Sequence, residues 1–440
     1  MPRILHLGLG AFHRAHQAVF LQRLHRAGDR EWTLASGNIR ADGAEVIDAL
    51  SRSSGAFTLE TVSPRGERQY ERIESISEVV PLDAAWAAFV RLGAQPQTRI
   101  ISFTVTEAGY SSVGAEPPLL FQLLASMLHA RMESGAGPVT LLCCDNLRHN
   151  GRITHDGLMA VARARSAALA AWIEANTRCP GTMVDRITPR PTAEVRARVK
   201  DATGIDDAAA VMAESWLQWV IEDDFIAGRP KWEAAGAEMV ADVVPYEEAK
   251  IRLLNAAHSC LAWGGTLADL SFVHEDATDD GVRRFAFDYA THDAIPALRP
   301  SPVDLERYRD SVLERFANAA LRDTNERIFA DSCTKLATFI APTIADALAN
   351  GRAFDAAAIL PALYLGCLRR FAAGRLPYAY SDPALDAAGA KSLCAAPDPV
   401  AALAQLEHVW GRWAGDARLV DALRRADAKV GAFEQSRARS

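Results

Sequence analysis

A chain of 440 residues, 49% of them hydrophobic, can bury large cores and divide into two or three domains. Its net charge of -7, without any run of basic residues, argues against nucleic acid or an anionic membrane surface as a partner. Seven cysteines (Cys143, Cys144, Cys179, Cys260, Cys333, Cys367 and Cys394) form an odd set with no C-x-x-C pair and no zinc-type spacing to histidine, so free thiols in a reducing cytoplasm are expected and a metal site is not.

The first residues run directly into an apolar ILHLGLG, which leaves no room for a leader peptide. No apolar run reaches the roughly 18 residues that a membrane-spanning helix requires. The run ends in Gly8 and Gly10 and is followed by a helical pattern over residues 15–26, with Phe20, Leu21 and Leu24 on its apolar face. Strand, glycines, helix is the order a dinucleotide site needs: the glycines admit a pyrophosphate close to the backbone, and the helix start offers free amides and a positive dipole end. His13 stands where the third glycine of G-x-G-x-x-G would be, so a tight turn without a ligand is the competing reading. Residues 32–37 read as a second strand. Asp42 is the first acidic residue after it, placed to bond an adenosine ribose, whereas the nearby Arg40 suits a 2′-phosphate.

Further strands are predicted at 56–62, 99–106 and 138–144, alternating with helical patterns at 82–92 and 119–132. The fold class is therefore α/β, a doubly wound, Rossmann-like, mostly parallel sheet that collects ligands at its carboxyl ends. Two polar groups fall there, Thr106 with Glu107 in FTVTEAGY and Asp145 with Asn146 in LLCCDNLRHNG, although a turn or a helix cap explains either at lower cost. His149 and Asn150 read as loop residues. MVDRITPRP, at 183–191, reads as a loop near the sheet edge with Asp185 and Arg186 as a surface ion pair, and residues 208–221 read as a helix.

From 241 onward the character changes to helix after helix, including patterns at 304–321, 334–349, 356–371 and 400–413. The expected organisation is a dinucleotide-binding domain at 1–240 and a mostly α-helical domain at 241–440. The latter opens with YEEAKIRLLNAAHSCLAWGG at 246–265, a helix expected to lie inside the protein or to roof a cleft between the domains. Lys250, Asn255 and His258 are the hydrophilic intruders in it. On an ideal helix with Lys250 at zero, His258 falls near about 80°, Asn255 near about 140° and Glu247 near about 60°. Lys250 is open to two readings, a buried cation paired with Glu247 or an amine that loses its proton and acts as a base.

GLGAFHRAH at 8–16, TVTEAGY at 104–110, CDN at 144–146, VDRITP at 184–189 and K-x4-N-x2-H from Lys250 to His258 occur in one order. Together they resemble the long-chain polyol dehydrogenases, the mannitol dehydrogenase family, over almost the whole chain. The resemblance implies a Rossmann-like domain that holds NAD through Gly8, Gly10, Phe12, His13, Arg14, Asp42, Thr106, Glu107, Val184 and Asp185. It implies Lys250 as general base, Asn146 and Asn255 as donors to the developing oxyanion, and His258 orienting a neighbouring hydroxyl. Asp185, Arg327 and Lys335 would hold further substrate oxygens, and His274 is a weaker candidate. The implied reaction is metal-independent oxidation of a linear polyol to a ketose. PYEEAKIRLLNAAHSCLAW and ASGNIRAD are most similar to arabinitol-oxidising members, which puts D-arabinitol to D-xylulose first and D-mannitol to D-fructose second. Beyond the small-molecule polyol no partner is implied, and a monomer is compatible with the resemblance. After Tyr110 the chain reaches the 117–132 helix quickly, where relatives are expected to carry a longer loop, so a more open entrance is expected. A hexuronate reductase of the same family would need one more cation for the substrate carboxylate, and none is evident. A nucleotide-sensing protein with a decayed site is disfavoured by the intact Lys250, Asn255 and His258.

Overall fold

The computed structural model describes residues 1–105, 107–110 and 116–437, apart from the side chains of Asp42, Ala84, Glu107 and Ala108. The chain separates into two units, one of Met1–Ser63 with Glu67–Glu247, the other of Pro64–Gly66 with the chain from Glu248 onward.

In chain order the strands of the first unit are β1 (Arg3–Leu7), β2 (Thr33–Gly37), β3 (Phe57–Val62), β4 (Arg68–Ile73), β5 (Ile76–Val79), β6 (Thr98–Phe103), β7 (Val139–Cys143), β8 (Thr177–Arg178), β9 (Thr182–Asp185), β10 (Val211–Glu214), β11 (Gln218–Glu222) and β12 (Glu238–Val240). Six of them form one parallel sheet in the order β5-β2-β1-β6-β7-β8. The chain builds outward from β1 in one direction, then returns to add β6, β7 and β8 on the other side. That is the doubly wound order, with its switch point between β1 and β6. Successive residues of a strand face opposite sides, and each side here has its own core. Ile4, Ile100 and Leu142 join the core that contains Phe20, Leu24 and Trp219, whereas Leu5, Ile101 and Leu141 join the one that contains Phe89, Leu123, Leu128 and Ile173. Burial on both faces is why these strands read as unbroken apolar runs.

Several elements differ from the sequence expectation. The 56–62 strand does not enter the main sheet; β3 lies between β10 and β4 in a separate three-stranded sheet. Residues 208–221 are not helical. Their alanines favour a helix, but β10 pairs with β3 and β11 pairs with β9, so distant partners override local propensity. MVDRITPRP is not simply a loop, because β9 occupies its start. Asp185 and Arg186 are both buried rather than on the surface. The Arg186 guanidinium donates to Glu214 O at 2.9 Å and to Ala15 O at 2.5 Å. The latter bond takes a carbonyl from the helical ladder, and the expected 15–26 helix is in fact two, Ala11–Ala15 and Gln17–Arg26, broken at His16.

The second unit is helical. Helix Ala256–Leu267 is buried along nearly its whole length and packs against Val273–Thr278, Asp280–Tyr289, Asn325–Phe329 and Ile359–Ala372. Its tail approaches one neighbour closely, since a Cβ on Gly265 would fall 1.8 Å from Asp276 Oδ1. Periodicity did not anticipate three π-helical turns, Lys250–Asn255, Ala290–Ala294 and Leu336–Ile340, the first of which packs against the other two.

Candidate active site

Two groups of residues carry chemistry, one on each unit. On the first unit a cleft of about 300 Å³ opens at the carboxyl ends of β1, β2 and β6, the switch point of the sheet. Gly8, Gly10 and Arg14 from the first turn line it with Asn38 and Arg40 after β2 and Thr104 and Val105 after β6. Gly8 has φ +109, and a Cβ there would lie 2.0 Å from Thr104 O, so only glycine lets β1 and β6 close at this point. Gly10 differs: a Cβ there would meet no atom within 4 Å and would project into open space. The helix that follows has only five residues, so the anion-binding capacity of this turn rests on its own amides more than on a long helix dipole.

Beneath the turn, His13 is wholly buried and stacks on His6 with ring centroids 3.5 Å apart. The Thr104 hydroxyl donates to Gly8 O at 3.0 Å and therefore accepts from His6 Nε2 at 3.0 Å, which leaves His6 Nδ1 to accept from Ser102 Oγ at 2.8 Å. Burial pushes His13 down to about 3 and also lowers His6, so two neutral imidazoles form the support. His13 thus holds the turn in place from below. Phe12 is half-buried and stacks on His16 at 4.9 Å. Arg14 reaches the cleft, but its guanidinium is buried and bonded to Ala209 O and, at 3.3 Å, to Gly10 O. Val184 is a core residue, and Asp185 accepts from Trp216 Nε1 at 3.1 Å. Thr106 lies outside the described residues, as does the 111–115 segment after Tyr110; the side chains of Asp42 and Glu107 are likewise not described.

Asp145 closes the other edge of this region. Its Oδ2 accepts from Val105 N at 3.0 Å and from the Tyr110 hydroxyl at 2.6 Å, so one carboxylate clamps both ends of the TEAG segment. Burial, with Cys143 and Asp145 beside it, pushes the Tyr110 phenol well above its usual range and keeps it a donor. Asn146, next in the chain, is exposed. Asn150 is buried and fully used, donating to Asp145 O and Thr182 and accepting from Thr182 N at 3.0 Å, while His149 N donates to Glu247 Oε1 at 2.7 Å.

On the second unit the π turn gathers the polar residues. A π turn takes one extra residue, which rotates everything downstream back by about 100° relative to an ideal helix. Asn255 then falls near about 40° and His258 near about -20°, on either side of Lys250 rather than spread to one side of it. Lys250 is 7% exposed, and Asn255 and His258 are half-buried. The His258 ring stacks on Phe316 at 4.6 Å and turns Nε2 to within 3.2 Å of Asp323 Oδ2. Burial holds the imidazole below its usual pKa, with Asp323 pulling the other way. Asp323 also accepts from Arg327, Nε to Oδ1 at 2.6 Å and Nη2 to Oδ2 at 2.5 Å. Burial raises its carboxyl, but the neighbouring His258 and the two bonds from Arg327 outweigh this and hold it well below the usual carboxylate range. Lys335, at the start of the third π turn, gives its ammonium to Ile328 O at 2.6 Å and Ala330 O at 2.5 Å, and burial lowers it to about 8. The His274 ring lies 5.5 Å from that of Phe272.

Two residues escaped the sequence reading. Asn38 follows β2 directly and lines the cleft, but the search there was for an acid. Asp323 precedes Arg327 by four residues, the spacing of a helical ion pair, which in a sequence is normally a solvated face. Among the described residues no group of three or more His, Cys, Asp or Glu could hold a metal ion, and no helix is long and apolar enough to cross a membrane.

A family model described as the mannitol dehydrogenase Rossmann domain matches residues 2–234, and one described as the mannitol dehydrogenase C-terminal domain matches residues 242–429. D-arabinitol 4-dehydrogenase of Ralstonia nicotianae is 52% identical over 456 aligned positions, which cover 99% of this chain and 98% of that one. D-arabinitol 4-dehydrogenase of Klebsiella pneumoniae is 45% identical over 443, covering 97% of each. Among solved structures, the Pseudomonas fluorescens mannitol 2-dehydrogenase ternary complex with NAD and D-mannitol matches with a TM-score of 0.85 at 32% identity, across 100% of this chain and 94% of that chain.

The two glycines make a paired test. Gly8→Ala should lower stability by roughly 2 kcal/mol or more and abolish dinucleotide binding, because the backbone must shift. Gly10→Ala should melt like the wild type and weaken only dinucleotide binding. Denaturant unfolding with a nucleotide titration checks both, and equal stability of the two variants would refute the close approach at Gly8.

Proposed function

The chain belongs to the mannitol dehydrogenase family, and from that premise we propose that it oxidises a secondary hydroxyl of a linear polyol to a ketose with NAD, D-arabinitol to D-xylulose being the principal reaction. The step converts CHOH and NAD+ into C=O, NADH and a proton. NAD supplies the hydride acceptor. The observation that supports the reading is a lysine buried to 7% exposure at the start of a π turn that ends at Asn255, in an otherwise apolar helix.

The glycine turn fits a dinucleotide, because the missing side chain of Gly10 leaves the cradle open, Gly8 lets β1 and β6 close beneath it, and the turn lies at the sheet's switch point. Preference for NAD over NADP rests on Asp42, which would accept from a ribose hydroxyl and repel a 2′-phosphate. Arg40, which lines the cleft, is the residue that would reverse it. Lys250 takes the hydroxyl proton as general base. Asn255 donates an amide hydrogen to the oxygen as charge develops on it, a task for a donor that stays neutral and fixed. Asn146 is kept as second donor on the strength of the CDN motif. Arg327 and Lys335 hold the remaining hydroxyls, with His258 orienting one of them. No step needs a metal ion, and the seven free cysteines suit a reducing, cytoplasmic compartment.

D-mannitol to D-fructose is the second reading, favoured by the likeness to mannitol 2-dehydrogenase. The substrates differ by one CHOH unit, and one small group commonly shifts selectivity by only about 10- to 200-fold. Steady-state kinetics on arabinitol, mannitol, sorbitol, ribitol and xylitol with each cofactor should rank arabinitol with NAD first. Activity on a hexuronate without activity on arabinitol would overturn the assignment. Prolonged chelation should leave turnover unchanged; loss restored by zinc would refute the metal-free mechanism.

Lys250→Met keeps length and apolar bulk, so the variant should fold and bind NAD while turnover falls about 10²- to 10⁴-fold. Wild-type oxidation should rise with pH as the base loses its proton, and that rising limb should vanish in the variant. Burial lowers Lys335 to about 8, but its deprotonation removes a donor to substrate and acts in the opposite sense, so the sign of the limb separates the two lysines. Near-normal turnover with the wild-type profile would return Lys250 to a structural role.

A further inference from the structure

Asp323 belongs to none of the sequence motifs, yet it joins two residues that do. Its side chain is 12% exposed, against 62% for Arg327. An i,i+4 ion pair on an exposed helix face contributes little and exchanges freely with water. Here the carboxylate is held from two sides, by Arg327 and by His258 on the central helix, so it stays in place. It occupies Nε and Nη2, the edge with which a guanidinium grips a planar carboxylate bidentately. Nη1 lies outside the pair. The other cation of this face, Lys335, is committed to two backbone carbonyls.

We propose that Asp323 determines specificity: it fills the carboxylate-binding edge of Arg327 and offsets its charge, so that the site accepts neutral polyols and rejects the corresponding aldonates. A hydroxyl needs one donor, which Nη1 supplies. A terminal carboxylate is denied the side-on fork of Nε and Nη2, and at the remaining Nη1/Nη2 edge it meets a fixed negative charge beside it. This rests on the proposed polyol reaction and names what discriminates within it. It also explains why the cation required by a hexuronate-handling relative could not be found in this sequence, because the candidate arginine is internally neutralised.

The test uses the full chain with D-arabinitol and NAD, and D-arabinonate and its neutral analogue D-arabinonamide as competitive inhibitors. Wild type should bind the amide at least about 10-fold more tightly than the anion. Asp323→Asn, isosteric and uncharged, should bind arabinonate about 10- to 100-fold more tightly than wild type while its KM for arabinitol rises. Asp323→Glu, which restores the charge, should return the rejection of the anion. Tighter binding of an anion is a gain that a merely structural role for Asp323 does not produce. A folded Asp323→Asn whose arabinonate inhibition constant is unchanged would overturn the proposal. Should that variant fail to fold, the wild-type comparison decides: an enzyme that oxidises arabinitol yet binds arabinonate more tightly than arabinonamide overturns the proposal and leaves the polyol reading standing. A wild type inert toward polyols overturns both.

Discussion

A lysine held 7% exposed on a helix with apolar neighbours on nearly every side sets the terms for the second unit. Withdrawing an amine from water costs several kcal/mol unless polar groups are gathered around it or its proton is given up. The chain meets this with an irregular backbone. The turn at Lys250–Asn255 takes one extra residue, and two further π turns pack against it. Elsewhere on the same helix the cost is met conventionally: Arg252 is held by Glu248 at 2.8 Å and by Asp346.

The dinucleotide half obeys a different economy. Its loops need no charge at the turn, only the absence of side chains above and rigid neutral groups below. The imidazole stack of His6 and His13 supplies the latter, wired through Ser102 and Thr104 to the backbone of Gly8. A carboxylate, Asp145, does the equivalent for the segment that follows β6. Polar residues such as His13, Asp145 and Asn150 bond or stack within the protein here and hold the segments around the cleft in position.

The central strands β1, β2, β6 and β7 were legible because they are largely buried, whereas the edge strands β5 and β8, short and only partly buried, carry no apolar run. β3, β10 and β11 were misread because their identity depends on partners about 150 residues away for β3 with β10, and about 35 for β9 with β11, information that no local window carries. The helical second unit was legible from periodicity, and the three polar intruders stood out against it. Their common side was read from a wheel with a fixed step, which assumes an unbroken α-helix; the π turn at Lys250–Asn255 is a backbone feature that no such wheel contains. Asp323 was invisible for a related reason: in a sequence nothing separates an acid paired with an arginine in solvent from one wedged against a histidine of another helix.

The sheet of β10, β3 and β4 has a consequence for how the protein is made. Residues 57–62 emerge from the ribosome early, but their parallel partner is residues 211–214, so this sheet stays incomplete until most of the first unit has been synthesised. The nucleotide cleft waits with it, for its lining includes Pro191 and its Arg14 is anchored on the carbonyl of Ala209. During that interval β3 carries an unpaired edge and Arg14 lacks the carbonyl that anchors it. Until Pro191 and Ala209 are in place the nucleotide cleft is incomplete, so a bound dinucleotide cannot stabilise the nascent chain in this window.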